Sequence, residues 1–269
     1  MKKGEVYFNW IFIMVAGAVF LAFFTGFAIK YKDLQERKTE ITMLNNIDSA
    51  LTNLQSSSFT TSTSIDMPLD INVDCDSSGY YIFINEKSKV DILVASKGSI
   101  RKNMHVWHQQ YKIPFRAANI YYLADDNPIN IATNNADLIN AIKEEMPDDF
   151  RDKINVYEGN NLIIKGDMNK GTVMVDGKGI PYFGKEMLYA AILSSNYSCF
   201  YNSVKKEVGE AIRAYENKAR VLSKSGCNYN LILSKINLLN DVKNVDYEIV
   251  QSIEDSNKNL VSLNCAGLY

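Results

Sequence analysis

A run of twenty residues without a charged side chain, from Trp10 to Ile29, constrains this chain more than any other feature. At 1.5 Å per residue, a helix of this length spans about 30 Å, the thickness of the hydrocarbon layer of a bilayer. Tyr7 and Trp10 at one end and Tyr31 at the other are aromatic residues of the kind found at membrane interfaces. The sequence therefore predicts a single transmembrane helix, with residues 1–30 as the membrane anchor.

A cleaved secretory signal is the main alternative to a spanning helix. Its apolar region is typically about 7 to 15 residues long and ends at a small-x-small cleavage site. The segment FAIKYKDL after the apolar run supplies no such site. Within the span, Ala18, Ala22 and Gly26 recur every four residues, which predicts a helix face that a second helix can approach closely in lipid.

The opening MKKGEVYFNWIFIMVAGAVFLAFF resembles the class III signal segment of archaeal type IV pilin-like proteins. Lys2 and Lys3 match the basic leader, Gly4 matches the small residue before the processing point, and Glu5 stands where the family usually has Gln. Asn9 differs, because pilin-like proteins generally carry Glu there. The resemblance covers the first thirty or so residues and implies cleavage after Gly4, with the apolar helix retained and packed in a filament core.

The orientation of the anchor is contested by two features of the sequence. Two lysines precede the span, whereas four basic residues follow it, which by the positive-inside rule favours a cytoplasmic C-terminus. All four cysteines also follow the span, in no C-x-x-C spacing, and Asn196-Tyr197-Ser198 is an N-glycosylation triplet. An even number of unclustered cysteines is typical of an oxidising compartment, so we expect the C-terminal part to be extracytoplasmic.

After the span, apolar residues at spacings of three, four and seven predict that the helix continues as a stalk to about Gln55. This stripe packs either against the chain's own globular domain or against a second copy in a coiled coil. The Ser/Thr-rich stretch 56–64 predicts a linker. Residues 31–64 are therefore interpreted as a stalk helix followed by a linker.

Residues 65–269 are predicted to form one α+β domain, with an antiparallel or mixed β layer followed by a helical C-terminal part. Apolar and polar residues alternate from Ile65 to Asp76, the period of a strand with one wet face, and Pro68 requires an edge position or an interruption. Strands are expected to continue as an antiparallel meander to residue 96. From about Lys185 onward the patterns are helical, with Gly226 as a helix stop.

The four cysteines allow three pairings, and helix length removes one. A predicted helix of about 20 residues separates Cys199 from Cys227 by near 30 Å, whereas a disulfide needs Cα atoms within about 7 Å. If the last two helices form an antiparallel hairpin, Cys265 returns beside Cys227, which leaves Cys75 for Cys199. Four free thiols in a reducing compartment are the alternative.

Candidate chemical sites are few. His105 and His108 are the only histidines, and strand alternation would place them on opposite faces, which disfavours a shared metal. The segment from Gly179 to Lys185 fits G-x4-G-K, but Glu186 replaces the Ser or Thr of a phosphate-binding loop, so we interpret Pro181–Gly184 as a turn. Five aromatic residues are candidates for a binding surface, although core packing is their commoner use: Trp107, Tyr111, Phe115, Tyr121 and Tyr122.

Composition excludes some classes of function but does not identify a single one. Lys+Arg 29 against Asp+Glu 31 gives a net charge of -2, which excludes a nucleic-acid binder that relies on bulk charge. No residues point to a catalytic centre, a cofactor or a metal. The sequence favours a single-pass membrane protein whose extracytoplasmic domain acts by binding or assembly. Its expected contacts are the membrane and either a protein partner or a second copy of the chain. It would meet that partner or copy through the transmembrane and stalk helices. A pilin-like or other cell-surface component would fit this interpretation, and a tethered sensory or accessory domain of a larger complex or a tethered hydrolase are the alternatives.

Overall fold

The structure, a computed structural model, describes residues 3–56, 61–68, 70–76, 79–83, 92–240 and 245–269. The chain divides into two compact units, Met1–Ile47 and Asp48–Tyr269. Its order of elements is a long N-terminal helix, then strands, then helices, which confirms the predicted α+β class.

Helix α1 covers Lys3–Ser56, so the predicted continuation beyond the apolar segment is confirmed. Its described residues up to Ile47 make up the first unit. The last turns belong to the second unit, where Leu51 and Leu54 are buried. There the Tyr121 hydroxyl donates a hydrogen bond to the Leu51 carbonyl at 3.0 Å, which fixes the end of the helix.

The described part of the second unit contains eleven strands. They are β1 (Thr61–Asp66), β2 (Asn72–Asp76), β3 (Gly79–Phe83), β4 (Leu93–Ser96), β5 (Asn103–Lys112), β6 (Arg116–Ala124), β7 (Ile129–Thr133), β8 (Ile154–Glu158), β9 (Ile163–Gly166), β10 (Lys170–Val175) and β11 (Lys178–Phe183).

The largest sheet has the strand order β1-β5-β6-β4. β1, β5 and β6 are antiparallel neighbours, whereas β4 runs parallel to β6. The expected antiparallel meander is therefore wrong for β4. All four residues of β4 are buried, which is typical of a strand covered on both faces.

The alternating run from Ile65 to Asp76 forms two strands rather than one. β1 ends at Asp66, and β2 begins at Asn72 and pairs with β3 as a hairpin. Pro68 lies between them and has no N–H to donate, which accounts for the interruption. The second half of the predicted linker also differs, since residues 61–64 pair with 105–108. Threonine is β-branched and favours a strand, and this strand pairs with β5 on the side that does not face β6.

Two smaller sheets complete the strands of this region. β9, β10 and β11 form an antiparallel sheet with β10 in the middle, and β7 pairs parallel to β8. The predicted turn over Pro181–Gly184 is wrong for its first three residues, which belong to β11. Proline lacks a backbone N–H, and an outer strand tolerates it because half of the backbone groups of such a strand face no neighbouring strand. The chain turns at Gly184, whose φ of 86° lies in the left-handed region that favours glycine.

The described helices after α1 are α2 (Ala136–Lys143), α3 (Asp148–Arg151), α4 (Lys185–Leu193), α5 (Tyr197–Leu222), α6 (Asn230–Ile236) and α7 (Tyr247–Ser262). Asn196 caps α5 by accepting a hydrogen bond from the Cys199 N–H at 3.0 Å, and Asp246 caps α7 in the same way. Gly226, with a φ of 88°, follows the 3-10 turn after α5 and ends it, as predicted.

The core of the second unit forms around α4 and the largest sheet. Residues Met187 to Leu193 of α4 are all buried, so this helix is enclosed on every side. The Trp107 ring lies 4.6 Å from the Tyr122 ring and 4.7 Å from the Tyr189 ring, centroid to centroid. These contacts join β5, β6 and α4 in one apolar cluster.

Candidate functional site

The anchor segment of α1 is the most conspicuous surface of the first unit. An 18-residue window within it has a mean hydropathy of 2.4 and no buried residue, and among the described residues α1 alone is long and apolar enough to cross a membrane. Its large apolar side chains are exposed on all sides, from Ile11 at 58% to Leu21 at 71%. A helix that is apolar all round needs lipid or other helices about it.

The proposed packing face lies within this segment. Ala18, Ala22 and Gly26 follow one another at four-residue spacing on one side of α1. A Cβ added at Gly26 would meet no heavy atom within 4 Å in the described structure. The face is therefore open in the single chain, and its use by a second helix stays a prediction. Gly4 and Glu5, the candidate processing site, lie in the first turn of α1, and their side chains are outside the described residues.

Two disulfides cross-link the second unit. Cys75 is joined to Cys199, with Cα atoms 6.3 Å apart, and Cys227 is joined to Cys265, with Cα atoms 5.9 Å apart. These are the pairs expected from an antiparallel hairpin of the last two helices. The first ties β2 to the start of α5, and the second ties the segment before α6 to the segment after α7.

The five aromatic residues considered for a binding surface lie in the core, which is the commoner use of such residues. All five of its residues are at most 2% exposed: Trp107, Tyr111, Phe115, Tyr121 and Tyr122. The side chains of Trp107 and Tyr122 form a cross-strand pair in the core, and Phe115 packs on Tyr215 with ring centroids 4.5 Å apart. Large aromatic residues bury the most apolar area, which explains their place in the interior.

The two histidines make separate contacts. His105 Nε2 lies 2.8 Å from Asp126 Oδ1, which also accepts a hydrogen bond from Lys153, and Asn103 donates to Asp126 Oδ2. These hydrogen bonds, that of His105 first, hold the pKa of Asp126 well below its ordinary range. His108 is buried, with Nε2 3.3 Å from Asn119, and burial lowers its pKa. Among the described residues, no three His, Cys, Asp or Glu side chains gather as a metal site.

A cavity of about 620 Å³ lies at the N-terminus of α4. Lys185 Nζ lies 2.5 Å from Glu145 Oε2, and the Tyr189 hydroxyl donates to the same oxygen at 3.3 Å. Glu186 also lines the cavity, and burial raises the pKa of its carboxyl. The described lining contains no serine, cysteine or histidine, so the nucleophile and base of a Ser- or Cys-dependent hydrolase do not meet there.

A second cavity, of about 240 Å³, lies at the other end of α4. Lys97 follows β4, and its Nζ donates to the Ser194 carbonyl at 3.2 Å. Sequence reasoning missed this pair, because the two residues stand 97 positions apart and neither belongs to a recognisable motif. Only the packing of α4 on β4 brings them together.

Comparison with protein-family models, with curated proteins and with solved structures finds no match for this chain.

Proposed function

We propose that this chain is a membrane-anchored extracytoplasmic protein that acts by assembly, in which the anchor helices of several copies pack together as in pilin-like proteins. The observation that carries the proposal is the anchor segment of α1, which is apolar and exposed around its whole circumference. An ordinary surface helix has a polar face for water, and this segment has none.

The two disulfides support the extracytoplasmic side of the proposal. Disulfides persist in oxidising compartments and are rare in the cytosol. All four cysteines belong to the second unit and are paired, with no free cysteine among the described residues.

The small-residue face supports assembly through helix contacts. Lipid tails are as apolar as leucine, so helices associate in membranes by close packing rather than by burial of apolar surface. Small side chains at Ala18, Ala22 and Gly26 permit that close approach. The resemblance of the N-terminus to pilin-like signal segments adds a route to assembly, namely processing after Gly4.

The assembly test compares two matched substitutions in the anchor. Ala22→Leu enlarges the packing face, whereas Ala16→Leu makes the same change on another side of the helix, since successive residues turn by about 100°. We expect cysteine-independent chemical cross-linking in native membranes to yield oligomers for the wild type and for Ala16→Leu, and far fewer for Ala22→Leu. Equal oligomer yields from the two variants would contradict packing through this face.

The topology test labels thiols in intact cells with a membrane-impermeant reagent, before and after reduction. We expect Cys227 and Cys265 to be labelled only after reduction with an impermeant reductant. If all four cysteines react only after lysis, and without reductant, the domain is cytoplasmic and the proposal fails. Mass determination of the mature N-terminus separately tests cleavage after Gly4.

A further inference from the structure

We propose that Asn196 carries an N-linked oligosaccharide, attached while the second unit is exported. The inference rests on the extracytoplasmic placement proposed above, because N-x-S/T triplets are acceptors for sugar in secreted proteins. Asn196-Tyr197-Ser198 has this form with no proline in the middle, and the chain contains one such triplet. A single site is therefore predicted, and single substitutions can test it.

Asn196 lies where a sugar chain can reach water. It belongs to the short connection between α4, which ends at Leu193, and α5, which begins at Tyr197. Asn196 and the preceding Ser195 are both exposed. A glycan is bulky and hydrated, so it needs such a surface position. The folded second unit therefore accommodates a sugar chain at Asn196 without a change in its core.

The attachment is compatible with the role of Asn196 at the start of α5. Its Oδ1 accepts a hydrogen bond from the Cys199 N–H at 3.0 Å and so caps the helix. An N-linked sugar is joined to the amide nitrogen, Nδ2, and leaves the amide oxygen as an acceptor. The modified residue therefore keeps the atom that caps α5.

The transfer needs a co-substrate, an oligosaccharide joined through phosphate to a membrane lipid. Asn196 Nδ2 forms a bond to the anomeric carbon of the first sugar, and the bond from that carbon to the phosphate oxygen breaks. The lipid phosphate leaves with the electron pair of the broken bond, and one amide proton passes to a base of the transferring enzyme. No group is oxidised or reduced.

The folded structure indicates when this transfer takes place. Tyr197, the middle residue of the triplet, is 3% exposed, and its hydroxyl donates to the Pro181 carbonyl at 3.2 Å. An enzyme that binds the triplet has to surround all three of its residues, which the buried position of Tyr197 prevents. The transfer therefore precedes the burial of Tyr197, when the newly exported chain has not yet folded.

The test examines the full chain isolated from its own membranes. After reduction and digestion with trypsin, residues 186–205 form one peptide that contains Asn196. We expect mass spectrometry to show this peptide heavier by a sugar chain, with fragment ions that place the added mass on Asn196. If impermeant thiol labelling shows the domain outside and the peptide has only its unmodified mass, this inference is overturned and the proposed function stands. If the labelling shows a cytoplasmic domain, both fail.

Three variants separate the modification from the fold. Asn196→Asp keeps a cap of similar strength but removes Nδ2, whereas Ser198→Ala breaks the triplet and leaves Asn196 in place. Both should lose the whole added mass. Asn202→Asp makes the same change at another exposed asparagine of α5 that heads no triplet, and it should keep the sugar. Sugar that persists in Asn196→Asp, or that is lost in all three variants, would refute the assignment.

Discussion

Removal of the disulfide between Cys227 and Cys265 should destabilise the second unit strongly. The two cysteines lie 38 positions apart, and in the chain-entropy model a cross-link over a loop of this length stabilises the folded state by about 4 kcal/mol. The same reasoning gives about 5 kcal/mol for Cys75–Cys199, which closes 124 positions. We therefore expect Cys227→Ser/Cys265→Ser to lose about 4 kcal/mol and Cys75→Ser/Cys199→Ser about 1 kcal/mol more.

The assay is urea unfolding followed by the fluorescence of Trp107, which is fully buried in the core. The chain has two tryptophans, so a Trp10→Phe background leaves Trp107 as the only reporter. Each double variant is compared with the oxidised parent, and the parent in reductant serves as the control that lacks both bonds. A loss below about 1 kcal/mol for Cys227→Ser/Cys265→Ser, or a smaller loss for the longer loop, would refute the loop-entropy reasoning.

Three further predictions concern the second unit. Phe150→Ala removes a fully buried ring that packs 5.8 Å from Trp107, and we expect a loss of about 3 to 5 kcal/mol in the free energy of urea unfolding. Asp246→Ala removes the side chain that caps α7 and should cost about 1 kcal/mol in the same assay, whereas Asp246→Asn should restore most of it. Asp126 has a folded-state pKa below its unfolded value, so its stabilising effect is present above the unfolded pKa of about 3.9 and is lost as the pH falls below it. Asp126→Asn should therefore flatten the acid side of the curve of melting temperature against pH, and an unchanged acid side would contradict this assignment.

Local patterns predicted most of the helices and strands because their signals lie within a few residues of one another. The apolar run of α1 and the Gly226 stop after α5 are signals of this kind. β11 was missed because Pro181 indicates a turn unless the strand is known to be outermost. β4 was assigned the wrong partner because strand pairing depends on residues far along the chain, here Leu93 with Ile120.

The candidate sites likewise differ in whether a local signal of the sequence could predict them. The helix length between Cys199 and Cys227 was a local quantity, and it was enough to exclude one cysteine pairing. The Trp107 region contained no local signal to distinguish a core from an exposed aromatic surface, since both use the same residue types. The juxtaposition of Lys97 and Ser194 depends on tertiary packing alone.

The order of the two disulfides along the chain bears on how the protein matures. Cys75 pairs with the next cysteine, Cys199, and Cys227 pairs with the one after it, Cys265, so the two covalent loops follow each other without overlapping. In a polypeptide exported with its N-terminal anchor first, each cysteine would meet its native partner as the next thiol to emerge. If the second unit is exported as proposed, sequential oxidation during translocation gives the native connectivity directly, and we expect maturation without a disulfide isomerase.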